Sequence, residues 1–146
     1  MTDSDMTDHD VTDCVLHLLI VDDDPGMRFM MTEFAAALGH QAHAVDSGHA
    51  CLAALLTPGF SADALLMDIN MPGMSGIELA RAIRGIAVPT LRNIPIVAVT
   101  ANTDLRAEDA PDLMMAVLHK PVDLMGLEQM LDMIVAMLGA TGLAQQ

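Results

Sequence analysis

The chain is punctuated by short apolar runs that stop abruptly at polar residues. The first, LHLLIV (Leu16–Val21), runs straight into three aspartates and reads as a buried strand. Asp24 can then cap a helix with Pro25 at its first position, running through MRFMMTEFAAAL to Gly39. AHAV (Ala42–Val45) is a weaker second strand, and SGHACLAALL a helix closed by Pro58 and Gly59. ALLMD (Ala64–Asp68) is a third strand, followed by GIELARAIRG, whose Ile77, Ala80 and Ile83 recur at helical spacing. IPIVAVT (Ile94–Thr100) and MAVLH (Met115–His119) give a fourth and fifth strand. Between them, NTDLRAEDAPDLM carries Pro111 and a poor apolar stripe, which predicts only a short or frayed helix that moves when no phosphate or partner holds it. A last helix, DLMGLEQMLDMIVAML, is capped by Asp123 and ended by Gly139. Strands alternating with helices across short connections predict parallel βαβ units in one α/β domain over residues 15–139. Residues 1–14 are expected to be an acidic disordered tail and 140–146 a short C-terminal tail.

Composition narrows the function. The 146 residues are 53% hydrophobic, enough for a core, but only 2% aromatic with 14 methionines, so that core must be aliphatic and deformable. Asp and Glu total 20 against 6 Lys and Arg, a formal charge of −14. That balance excludes nucleic acid and anionic membrane as partners, which need clustered cations, and suits metal ions. No run reaches the roughly 18 apolar residues of a membrane span, and MTDSDMTDHD lacks the order of a signal peptide. Cys14 and Cys51 form no CxxC pair and read as reduced thiols, Cys51 as a core residue, so a cytoplasmic location is expected. His9, His17, His40, His43, His49 and His119 show no zinc-ligand spacing.

The polar residues that end the strands carry the chemistry. Sites in open parallel sheets form outside the carboxyl ends of the strands. Asp22 and Asp23 follow the first strand, Asp68 and Thr100 end the third and fourth, and Lys120 follows the fifth. Singly, these are a turn residue, a strand former and a surface charge. Together on one edge, the carboxylates repel one another and one is driven toward protonation. A hard cation such as Mg²⁺, which takes a few carboxylate oxygens and keeps waters, resolves that repulsion. A metal-held carboxylate can attack a phosphoryl group while metal, hydroxyl and lysine offset charge on the transferring oxygens. Lys120, the one lysine in the chain, is then the fixed positive charge beside that group.

LLIVDDDPGMR, LLMDINMPGMSGIEL, IPIVAVTAN and LHKP, in this order, resemble the signature stretches of the response-regulator receiver domain. The resemblance covers roughly Leu16 to Leu138. It implies a flavodoxin-like, doubly wound five-stranded parallel sheet with five helices. It implies Asp68 as phosphoacceptor, with Asp23 and Asp68 ligating Mg²⁺ directly, Asp22 acting mostly through water, and the backbone carbonyl of Asn70 completing the set. Thr100 and Lys120 would contact the phosphoryl group, Ala101 would leave it room, and Pro72 and Gly76 would shape the loop after the acceptor. The Lys120–Pro121 peptide would be cis. The implied function is that of a single-domain response regulator, a phosphoacceptor rather than a turnover enzyme. Its partners would be a histidine kinase or histidine phosphotransfer protein and an unknown downstream protein.

Two features depart from the family pattern. Val117 stands where an aromatic usually lies, three residues before the lysine, and the Thr100–Lys120 segment is about two residues short. Val117 leaves open a scaffold-like pseudo-receiver, and RNIPIVAVTAN resembles receivers joined to hybrid histidine kinases, which leaves open a receiver detached from one. A haloacid-dehalogenase-type phosphatase needs a second aspartate where Asn70 stands, and the three aspartates after the first strand do not suit flavin phosphate. In the last helix, Leu124, Leu127, Leu131, Ile134 and Leu138 form a docking stripe, and Met130, Met133 and Met137 extend it sideways. These methionines read either as core filling or as a contact face for another protein or a second copy, making a homodimer through this helix.

Overall fold

The computed structural model describes residues 14–140, so most of both predicted tails lies outside the described residues. Five strands form one parallel sheet: β1 (His17–Val21), β2 (Gln41–Val45), β3 (Ala64–Asp68), β4 (Ile96–Thr100) and β5 (Ala116–His119), in the order β2-β1-β3-β4-β5. The α-helices are α1 (Pro25–Ala37), α2 (Gly48–Leu55), α3 (Gly76–Arg84), α4 (Pro89–Arg92) and α5 (Leu124–Ala140). Strand alternation sends side chains to both faces. Leu19, Val21, Leu65, Met67, Ile96 and Ala98 pack against α2 and α3. Leu18, Ile20, Leu66, Val97 and Val99 pack against α1 and α5. This is the flavodoxin-like doubly wound arrangement.

Local chemistry fixes the helix starts. Asp24 accepts the Gly26 N–H ahead of Pro25, Ser47 accepts the Ala50 N–H, and Asp123 accepts the Gly126 N–H. Ser75 and Glu78 form a reciprocal capping box at α3. Leu19, Leu65 and Ile96 are wholly buried, which is why the central strands read so clearly as apolar runs.

The structure corrects the sequence reading at several points. No α-helix forms between β4 and β5: the segment carries a single 3-10 turn at Ala107–Asp109. Asp and Asn side chains satisfy its backbone locally, with Asp109 accepting the Arg106 N–H and Asn102 the Asp104 N–H, and this competes with a helix. The fifth helix is instead α4, one turn started by Pro89. Strand β4 begins at Ile96 rather than Ile94, since Pro95 has no N–H for the ladder. Strand β1 begins at His17 because the Leu16 N–H is given to the His40 ring. Helix α5 passes through Gly139 to Ala140, one residue beyond the predicted domain end.

Candidate functional site

The site lies at the carboxyl edge of the sheet. The register pairs Asp68 with Val99, so Thr100 stands one residue beyond, and the Lys120 N–H donates to the Thr100 carbonyl at 2.8 Å. Three central strand ends and the edge strand therefore deliver Asp22, Asp68, Thr100 and Lys120 to one place, as the strand-end argument expects.

One carboxylate oxygen from each of Asp22, Asp23 and Asp68 lies within 4.8 Å of the others. Asp22 and Asp68 are buried at 3% and 4% exposure, and Asp23 is exposed. The Lys120 ammonium reaches both buried acids, at 3.4 Å from Asp68 Oδ1 and 3.6 Å from Asp22 Oδ2. Burial pushes the Asp68 carboxyl above its ordinary range, and Asp22 adds to the rise. Lys120 and the Asn70 N–H, which donates to Asp68 Oδ1 at 3.2 Å, pull in the other direction. One cation facing three carboxylates leaves the edge short of positive charge. A compact set of carboxylate oxygens with one member open to water suits a hard, partly hydrated cation such as Mg²⁺.

The surrounding backbone is built around these groups. Asp22 Oδ1 accepts the Asp24 N–H, and Thr100 Oγ1 accepts the Asn102 N–H, which leaves the Thr100 hydroxyl proton free to be donated. Asn70, Pro72 and Ala101 are exposed around the edge. Gly76 abuts the acceptor strand: a Cβ there would come within 2.5 Å of the Asp68 carbonyl oxygen. The Lys120–Pro121 peptide is cis. Val117 is half-buried against the α2/α3 side of the core and occupies the position where the family carries an aromatic.

Sequence reasoning missed Arg28, whose Nη1 donates to the Asp22 carbonyl at 2.9 Å and steadies the β1–α1 turn. A cation so near a helix N-terminus runs against the helix dipole, and that conflict was the available signal.

Comparison with known proteins places this geometry. The family model for the response regulator receiver domain matches residues 18–132. The chain is 40% identical over 87 residues to the chemotaxis protein CheY of Pseudomonas aeruginosa, covering 59% of this chain and 67% of that one. It is 35% identical over 117 residues to the sensor histidine kinase RcsC of Salmonella typhi, covering 78% of this chain and 12% of that one. Against most of the curated relatives it matches, the chain spans about a third of their length or less. Among solved structures, a CheY-like receiver domain from Methylobacillus flagellatus superposes with a TM-score of 0.71 at 33% identity, over 82% of this chain and 98% of that one. The receiver domain of a sensor histidine kinase from Pseudomonas aeruginosa, solved with a magnesium ion coordinated in its active-site cleft, gives 0.70 at 26% identity, over 84% and 98%. The chain belongs to the response-regulator receiver domain family of two-component systems.

Proposed function

We propose that this receiver accepts a phosphoryl group on Asp68 from a phosphohistidine of a histidine kinase or phosphotransfer protein. The reading rests above all on the Lys120 ammonium lying 3.4 Å from Asp68 Oδ1 at the edge of a three-carboxylate cluster. An Asp68 carboxylate oxygen forms the new P–O bond as the P–N bond of the phosphohistidine breaks, and the departing imidazole keeps the electron pair. Lys120 moves its charge onto the phosphoryl oxygens, which add about −1.5 to −2 of charge. The Thr100 hydroxyl donates to one of them, and exposed Ala101 leaves room at the mouth. Asp22, Asp23 and Asp68, with the Asn70 carbonyl, are the residues to hold Mg²⁺. When bound, that ion supplies the positive charge that Lys120 alone does not. The chain is thus a phosphoacceptor that takes part in its own phosphorylation and dephosphorylation, not an enzyme acting on a pool of substrate.

The signal leaves by protein contact. Met133 is 43% exposed on α5, while Met130 and Met137 are half-buried, so the α5 methionines are available in part to a partner or a second copy. The test of the phosphoryl chemistry is incubation with acetyl phosphate, with Mg²⁺ or with a chelator, followed by intact mass. A gain of one phosphoryl group with Mg²⁺ and none with chelator is expected; equal gain in both removes the metal from the account, and no gain removes the acceptor.

A further inference from the structure

Arg84, the last residue of α3, makes an unusual set of contacts. Its Nε donates to the Asp112 carbonyl at 2.9 Å and its Nη2 to the Leu113 carbonyl at 3.0 Å. Its Nη1 donates to the carbonyls of Arg92 and Ile94, both at 2.8 Å. All four partners are backbone carbonyls, and none belongs to α3. The end of that helix is closed separately, by the Gly85 N–H on Arg81 and Ala82 and the Ile86 N–H on Ile83. Arg84 is therefore not a helix cap. A planar guanidinium with a fixed fork of donors can join carbonyls that a single ammonium cannot reach together.

These carbonyls lie just before strands. Arg92 and Ile94 precede β4, and Asp112 and Leu113 precede β5 and close the segment 101–115 that joins the two strands. That segment has no α-helix; it is a chain of turns with Leu105, Ala107, Ala110 and Leu113 half-buried and Met114 fully buried on the α2/α3 side of the core. The opposite end of α3 meets the acceptor. The Gly76 N–H donates to the Ile69 carbonyl at 2.9 Å, and a Cβ at Gly76 would meet the Asp68 carbonyl oxygen at 2.5 Å. One nine-residue helix thus abuts the Asp68 backbone at its start and grips the β4–β5 segment at its end.

We infer that Arg84 is a positioning residue that holds the β4–β5 segment docked and, through α3, makes its docking respond to phosphorylation of Asp68. The phosphoryl half rests on the function proposed above; the docking half does not. Val117 offers no ring to carry a change from the acceptor edge to this segment, whereas α3 and Arg84 join the two by direct contacts.

The test is hydrogen exchange on the full chain, for the natural protein, Arg84→Gln and Arg84→Lys, each without and with acetyl phosphate and Mg²⁺. In unphosphorylated Arg84→Gln, peptides over residues 101–115 should exchange at least about tenfold faster, the scale of losing one or more charge-assisted hydrogen bonds. Peptides over β1 and α1 should not change. Arg84→Lys should restore part of the protection. In the natural protein, phosphorylation should alter exchange over 101–115, and in Arg84→Gln that difference should vanish although Asp68 is still labelled. Unchanged exchange over 101–115 in unphosphorylated Arg84→Gln overturns the docking role. A phosphorylation response of natural size in that variant overturns the coupling. If the natural protein takes no label, the phosphoacceptor reading falls and with it the coupling, while the unphosphorylated comparison still decides the docking role. Should Arg84→Gln fail to fold by circular dichroism, Arg84→Lys carries both comparisons, with partial losses expected and natural behaviour contradicting the inference.

Discussion

Asp68 and Thr100 stand at the ends of β3 and β4, strands in which all five residues are buried. The segment that leaves Thr100 and returns to β5 is held differently: short turns, the buried Met114, a few half-buried apolar side chains and one guanidinium from α3. Strand β5 shows the difference as well, with three half-buried residues and an exposed His119. The two regions meet at Thr100, yet one is fixed by buried strands and the other by turns, a small apolar cluster and the Arg84 guanidinium. The acceptor chemistry needs carboxylates and ammonium held within a few tenths of an ångström, which buried parallel strands provide. A region that changes with phosphorylation must come from the less firmly held part of the fold. In the family pattern an aromatic before the lysine offers a ring between the two regions; Val117 offers none.

Mutations at the acceptor edge should have the largest effects. Lys120→Ala leaves Asp22 and Asp68 buried with no cation between them. In chelator it should lower unfolding free energy by about 2–3 kcal/mol, and the protein should still fold. Denaturant titration with and without Mg²⁺ measures this, and Mg²⁺ should recover most of the loss. A smaller effect is expected where the edge meets α3. Gly76→Ala drives a Cβ into the backbone of Asp68 and Ile69, and should cost about 1–3 kcal/mol and slow labelling by acetyl phosphate. An equal labelling rate would show that the acceptor loop tolerates the shift.

Asp68 itself gives a pH signature. Its folded pKa is raised by burial and by Asp22, so the folded state holds the proton more tightly than the unfolded chain. Its favourable contribution is complete below the unfolded value and is lost as pH rises through the folded one. In chelator, Asp68→Asn should therefore be more stable than the natural protein at neutral pH, with the gap closing on acidification. Thermal unfolding across pH reads this directly, and a gap that widens toward low pH would contradict the assigned cause. The smallest structural effect is expected far from the edge. Met133→Glu should alter unfolding free energy by no more than about 0.5 kcal/mol while weakening self-association or partner binding measured by light scattering. Unchanged association would leave the exposed α5 methionine without a role in contact.

The legibility of the two regions in the sequence follows their physics. Buried parallel strands are continuous apolar runs, so LHLLIV, ALLMD and IVAVT announce themselves, and the residue that breaks each run is the one at the edge. Asp24, Ser47 and Asp123 cap within three residues of themselves, a distance that sequence inspection spans. Arg84 could not be found that way. It is a cation in the last turn of a helix, which looks like ordinary dipole matching, while its carbonyl partners lie 8 to 29 residues away. Helix α4 was equally hidden, since Pro89 is its one local signal and its four residues show no periodicity. For the β4–β5 segment, Pro111 and the scattered acids indicated a weak helix. The Asn102 and Asp109 side-chain bonds that leave only a 3-10 turn depend on geometry that composition does not reveal.

The central claim is that Asp68 is the acceptor, and it is tested most directly by mapping the phosphoryl group after acetyl phosphate treatment with Mg²⁺. The natural protein and Asp68→Asn should be digested in parallel and read by peptide mass. The account predicts one phosphoryl group on the peptide that contains Asp68 in the natural protein, and none anywhere in Asp68→Asn. A label on another residue, or equal labelling of Asp68→Asn, would contradict it.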